Sequence, residues 1–332
     1  MRLISPYTLL LTFCLLWSTQ QVCAWGFWAH KRINRIAVFL LPPEMISFYK
    51  QNIEYITEHA VDPDKRRYAT PDEAPRHYID LDHYCTYPCH DFPRRWDDAV
   101  KKYTEDTLKA YGIVPWRIHQ MMYWLTDAFR MKDKNKILRL SAEIGHYIGD
   151  AHVPLHTTEN YNGLLTGQAG IHAFWESRIP ELFGEDYDYF IGHAEFIEKP
   201  LERIWKAVLE SHRALDTVFG FEKILSASFP PDRKFAYEQR GMMTVRAQSE
   251  EYSKTYSDMM DGMVERRMRA SIKMVADVWY TCWLNAGMPD LNKLHDIPLS
   301  PEEQQQVELE EKLWREKSRP MYGHPHPETG GE

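Results

Sequence analysis

His146-Tyr147-Ile148-Gly149-Asp150-Ala151-His152-Val153-Pro154-Leu155-His156 packs three histidines and a carboxylate into eleven residues. On a helix, His146 and Asp150 stand one turn apart and share a face. Pro154 then ends the helix, so His156 turns toward a different point. Val153 and Leu155 set these groups in apolar company, where unpaired charge is costly and a metal ion would offset it. Helical spacing continues on both sides. Ile33, Ile36, Ala37, Leu40 and Leu41 recur at helical intervals until Pro42-Pro43 stops them. Further helical stretches run near 44–57, 94–111, 116–131, 134–151, 171–183 and 195–218, with a longer one from about 236 to 286. Period-two alternation is scarce, so a single all-α, multi-helix domain is expected.

A second pair lies in Ile171-His172-Ala173-Phe174-Trp175-Glu176, again four residues apart. Fifteen histidines and 48 acidic residues among 332 predict about two such pairs by chance. The chain has four: His146/Asp150, His172/Glu176, His212/Asp216 and His324/Glu328. The last two read as a surface helix pair and a coincidence of the tail. The first two are set apart by their apolar surroundings. Upstream, residues 59–93 are rich in His, Asp, Pro and Tyr and read as an ordered loop region. Asp62 and His77 are its candidate ligands, with Asp64, Asp80, Asp82 and His83 as rivals. Histidine nitrogen combined with carboxylate oxygen suits zinc.

Met1–Ala24 has the pattern of a secretion signal: Arg2, an apolar run through Leu16, a polar patch, then Val22-Cys23-Ala24 as the cleavage segment. Export and cleavage before Trp25 are therefore expected. Removing Arg2 with the signal takes the net charge from −8 to about −9, mildly against a protein that coats a polyanion. No other run is long enough to span a bilayer. Cys85 and Cys89 could close a small disulfide loop in an oxidising compartment, or all three remaining cysteines could be free thiols. Residues 25–298 are expected to form the working domain. Residues 299–332 read as a charged helix and a flexible tail with solvated histidines.

The ordered set of motifs resembles the superfamily of zinc-dependent phospholipases C and P1-type nucleases. Its matching pieces are Trp25-Gly-x-x-x-His30, Asp62, His77 within Arg76-His-Tyr-Ile-Asp80, His146-x-x-x-Asp150 followed by His156, and His172-x-x-x-Glu176. The resemblance implies an all-α fold around three zinc ions. Asp62, His77, His146 and Asp150 would hold one ion, and His156, His172 and Glu176 a second. The third would take the amino nitrogen and carbonyl oxygen of Trp25, with His30 and a bridging oxygen from Asp150. An α-amino group titrates near 8, well below lysine, so zinc displaces its proton readily. Only cleavage directly before Trp25 creates that amine.

The implied chemistry is attack of zinc-activated water on a phosphodiester, with Asp62 orienting or deprotonating the water. Lys65 is a candidate phosphate contact, although a solvated Lys-Arg-Arg run is the better reading of it. Asn162, in Asn160-Tyr161-Asn162-Gly163, is a second substrate-binding candidate. The segments Gly149–His156 and His172–Ile179 look like the nucleases. Glu176 in place of aspartate and the short link from His156 to His172 look like the phospholipases. The expected function is a phospholipase C-type hydrolase acting as a monomer on phospholipid. The alternatives are a single-strand-specific nuclease or nucleotidase, and a secreted zinc-binding protein without turnover.

Overall fold

The computed structural model describes residues 26–240 and 243–316. Helix α1 (Phe27–Ala37) turns Ala29, His30, Ile33, Asn34 and Ala37 inward, the three-and-four spacing of one helical face. A short 3-10 turn, Val38–Leu40, follows. Pro42-Pro43 stops this segment and also starts the next one, because Pro43 opens the helix Pro43–Gln51, where a missing N–H costs nothing.

Two long helices form the scaffold beneath the site. Helix α3 (Val114–Met131) ends at Lys132 in the left-handed conformation. The chain reverses there, and helix α4 (Lys134–Ala151) begins with the Asp133 side chain accepting from Lys136 N at 3.1 Å. From Leu140 through Ala151 every residue of α4 is buried. Helix α6 (Met263–Asn285) completes the core, with Trp279 stacked on Tyr49 at 4.8 Å and its indole N–H donating to the Ser141 carbonyl at 3.0 Å. Helix α5 (Pro200–Arg213) packs against α3 and against the 3-10 turn Pro154–Thr157.

The approach of α1 to α4 is set by two glycines. A Cβ on Gly145 would stand 1.9 Å from Asn34 Oδ1, and one on Gly149 would stand 3.1 Å from the His30 ring. The bare helix surface lets Asn34 reach the Ala142 carbonyl at 2.9 Å. One turn earlier, His30 stacks on His146 with ring centroids 3.8 Å apart.

The region 59–93 is ordered, as expected, but it is built from short helical turns. These include Asp62–Arg66 (α2), the 3-10 segment Pro71–His77, and a turn at Leu81–Tyr84. Cys85 and Cys89 form a disulfide across Cα atoms 5.3 Å apart, and Cys282 is free and buried. Other boundaries shift. The expected helix 94–111 breaks at Thr104, whose φ of 69° no helix accommodates. The expected start near 195 moves to Pro200. Residues before it run extended, with Glu195 N–H donating to Asp277 and Ile197 N–H to Thr281.

Residues 235–248 are an antiparallel hairpin instead of the expected helix. Strands β1 (Phe235–Arg240) and β2 (Met243–Gln248) pair from Phe235↔Gln248 to Arg240↔Met243. Phe235 and Tyr237 alternate with small or polar residues. The hairpin is held to the core by Arg178, whose guanidinium grips the Glu238 carboxylate and donates from Nε to the Gln248 carbonyl at 3.1 Å. Last in the described chain, helix α7 (Pro301–Glu316) packs on α2, with the Trp314 ring 5.4 Å from Phe27 and 5.2 Å from Tyr68. Among the described residues no helix is long and apolar enough to cross a membrane.

Candidate metal centre

Asp150, fully buried near the end of α4, is the meeting point of the site. Its Oδ2 lies 3.0 Å from His77 Nδ1 and 3.4 Å from His146 Nε2. Its Oδ1 faces His30 Nε2 at 3.4 Å, with His156 Nδ1 at 3.9 Å. The one-turn spacing of His146 and Asp150 thus does what the sequence suggested, and one carboxylate addresses two sets of nitrogens. A separate group forms where His172 and Glu176 project from a helical segment that widens to a π-helix over Phe174–Arg178. Glu176 Oε2 lies 3.0 Å from His172 Nε2 and 3.3 Å from His156 Nε2.

Outer contacts orient these rings. His146 Nδ1 donates to the Ala60 carbonyl at 2.9 Å and His156 Nδ1 to the His77 carbonyl at 2.6 Å, which turns each Nε2 inward. His77 presents Nδ1 to the centre and Nε2 to Glu73 Oε1 at 3.7 Å. Glu73 is fully buried and is gripped in turn by Arg66, Arg76 and the Tyr147 hydroxyl. Arg66 also makes a two-pronged bond to Glu143 at 2.8 and 3.0 Å.

Burial opposes ionisation of Asp150, but His146 and His156 beside it hold the carboxyl well below its ordinary range. Burial likewise works against Glu176, and His172 and His156 hold it down. Burial lowers both His146 and His172, which favours the neutral imidazole that ligates. Burial alone would lower His156 too, yet the two carboxylates it faces raise it to about 9.

The sequence pointed to Asp62 as ligand and base; in the structure it is Asp64 that lies beside the histidines. Asp62 is partly exposed, with Oδ2 at 2.5 Å from His59 Nδ1 and Oδ1 at 2.7 Å from Lys65 Nζ. Asp64 is buried, 3.7 Å from His146 Nε2 and 3.8 Å from His77 Nδ1, and burial raises its carboxyl above the ordinary range. Each helical residue rotates by about 100°, so side chains two apart on α2 point to nearly opposite sides. Only one of the pair can face the histidines.

Lys65 is occupied by Asp62 and lies on the outer side of α2. The Asn162 side chain accepts from Gly170 N at 3.1 Å and so braces the loop before His172. Asp82 caps Thr158 and Glu159, and His83 stacks on Tyr111, both outside the cluster. Trp25 lies outside the described residues. Its neighbour Gly26 donates its N–H to Ser177 Oγ at 3.1 Å, one residue beyond Glu176. Glu73, Arg66 and Glu143 were not singled out in the sequence, since only tertiary contact joins them to His77.

Both ring nitrogens of His30, both oxygens of Asp64 and of Glu176, Asp150 Oδ1, and Nε2 of His156 and His172 are buried without hydrogen-bond partners. Each such group costs roughly 1–3 kcal/mol unless something satisfies it. Three sets of these side chains bring their donor atoms within 4.8 Å of one another: His30/Asp64/His146, His77/His146/Asp150 and His156/His172/Glu176. Nitrogen and carboxylate oxygen in tight, dry groups fit zinc.

A helical domain that converges clustered histidine–carboxylate groups on a shared aspartate defines a class of metal-dependent protein. The S1/P1 Nuclease family model matches residues 25–272, and the chain belongs to that family of zinc-dependent phosphodiester hydrolases. No curated protein matches the chain. The match favours the nuclease alternative over the phospholipase C-type reading. Neither feature behind that reading discriminates well: glutamate and aspartate both ligate through one oxygen, and loop length between ligands is readily changed.

Proposed function

We propose that the protein is a secreted, single-strand-specific nuclease or nucleotidase of the P1 type, working with three zinc ions. The observation that carries this reading is three neighbouring buried His/Asp/Glu groups, rich in atoms without hydrogen-bond partners, in a chain of the S1/P1 nuclease family. His77, His146, Asp150 and Asp64 would hold the first ion, and His156, His172 and Glu176 the second. His30, the other oxygen of Asp150 and the amino terminus at Trp25 would hold the third. Secretion rests on the leader pattern of Met1–Ala24, and cleavage before Trp25 would supply the amine.

Bound zinc supplies Lewis-acid polarisation of the phosphoryl oxygen and lowers the pKa of nearby water toward 7. The protein's own groups do the rest. Asp64 takes the part first given to Asp62: one carboxylate oxygen faces His146 and His77, and the other is left to accept a proton from the attacking water. Asp150 fixes His30, His77 and His146 relative to one another. The Arg66–Glu73 pair holds the His77 ring from behind, so its inward nitrogen keeps its direction.

The test is a parallel assay of the native, zinc-loaded protein on single-stranded DNA and on phosphatidylcholine vesicles. Cleavage of the DNA, abolished by a chelator and restored by zinc, with intact vesicles, is the expected result. Hydrolysis of the vesicles with the DNA untouched would overturn the nuclease reading, and neither reaction would make the protein a zinc binder.

A further inference from the structure

A cavity of about 430 Å³ opens between the start of α3 and the turn around Trp96, and it contains none of the metal-centre residues. That volume lies within the roughly 300–1,000 Å³ that small-ligand sites occupy. Its walls combine flat aromatic faces with guanidinium groups. Trp96 and Trp116 meet edge to face at 5.4 Å, and the Trp116 indole is fixed by a 2.8 Å bond to the Arg94 carbonyl. Tyr123, 62% exposed, stands at the rim with the His119 ring edge-on at 5.0 Å.

Arg117 is the telling residue. It is only 9% exposed, yet its Nε has no hydrogen-bond partner. Nη1 reaches Gln120 Oε1 at 3.2 Å, and the guanidinium lies over the rings of Trp124 at 4.8 Å and Tyr147 at 5.4 Å. Among the described residues no carboxylate forms an ion pair with it. Arg95 lies across the cavity with its side chain largely in solvent, 4.0 Å from Asp98. On a chain with a net charge of −8, a lining with two arginines and one aspartate selects an anion. Aromatic faces beside arginine are the means by which proteins hold nucleotides without reading their sequence.

We infer that this cavity is a second nucleotide-binding site, with a base against Trp96 and Tyr123 and a phosphate on Arg117 and Arg95. The inference rests on the nuclease reading for its choice of ligand. The site is joined to the metal centre through its supports. Ile113 and Val114, at the entrance to α3, donate to the carbonyls of Pro75 and Tyr78, which flank His77. Tyr147, beneath Arg117, packs edge-on against His77 at 5.4 Å.

The test is calorimetric titration of the zinc-loaded full chain with the 5′-methylenephosphonate analogue of AMP, whose C–P bond resists hydrolysis. Adenosine and a phosphorothioate-linked dodecanucleotide are titrated beside it. Two analogue sites per chain are expected, falling to one in Tyr123→Ala and in Arg117→Gln. Tyr123→Ala changes only an exposed ring, so it keeps the test valid if Arg117→Gln disturbs packing. Loss of one stacked base corresponds to at least ~5-fold in affinity. If that loss extends to the dodecanucleotide, the site holds part of a strand. If it is confined to the analogue, the site holds a free nucleotide. A single analogue site in the native protein, unchanged affinities in both variants, or adenosine binding as tightly as the analogue would overturn the assignment. Failure to cleave single-stranded DNA would instead remove the nuclease reading, while the site count remained measurable.

Discussion

Exchanging Asp64 for asparagine, beside the same exchange at Asp62, separates the two carboxylates that the sequence could not. Asp62 holds a partly exposed pair with Lys65, 28% and 25% accessible, and a contact to His59. Pairs near the surface contribute about 0–1 kcal/mol, so Asp62→Asn should shift the melting temperature little and leave DNA cleavage within a few-fold. Asp64 is different on two counts. In the metal-free protein its burial raises its pKa, so its charge opposes folding at neutral pH, and Asp64→Asn should leave the chelated protein at least as stable as native. With zinc present, loss of a ligand that weakens binding about 100-fold removes roughly 2.7 kcal/mol of linked stability. For a domain of this size that corresponds to a fall of roughly 4–5 °C. Loss of a general base should slow cleavage about 10²–10⁴-fold. The assay is thermal unfolding of native, Asp62→Asn and Asp64→Asn proteins with zinc and with chelator, alongside turnover. A zinc-dependent stability loss in Asp62→Asn and none in Asp64→Asn would refute the reasoning.

Asp150→Asn should lower zinc content by more than His156→Ala does, measured by metal analysis, because its two oxygens face separate sets of histidines. Gly145→Ala drives a methyl group into Asn34 and should cost about 1–3 kcal/mol in denaturant unfolding, since α1 must withdraw from α4. Zinc per chain should fall with it as His30 leaves His146. Glu73→Gln removes the charge behind His77 and should weaken zinc about 10–100-fold in competition with a chromogenic chelator. A methionine added before Trp25 should leave helicity by circular dichroism unchanged but remove about one zinc per chain, because an amide nitrogen cannot ligate.

The helical scaffold and half of the candidate site were legible for one reason: both candidate ligand pairs are four apart, and a helix converts that spacing into proximity. His146/Asp150 and His172/Glu176 could be paired without knowledge of any tertiary contact. Asp64 could not be chosen over Asp62, because that choice depends on the rotation of a five-residue helix whose ends are set by the surrounding fold. The role of His30 depends on Gly145 and Gly149 together with Asn34, and no single segment shows that fit. Glu73 and Arg66 act only through partners such as Glu143, 77 positions away from Arg66 in the chain. The hairpin at 235–248 was hidden by the longer helical pattern beyond it, although the alternation at Phe235 and Tyr237 was present in the sequence. The disulfide was open in sequence because only Cα separation decides it.

On the proposed reading, the buried donor groups around Asp150 hold a cluster of zinc. Anomalous scattering at the zinc edge, from crystals of the secreted protein with its natural amino terminus, tests it most directly. Three peaks are predicted, two of them beside Asp150 and one between His156, His172 and Glu176, with Asp64 in contact and Asp62 turned to solvent. A crystal with zinc bound at Asp62, or with no zinc at these histidines, would contradict it.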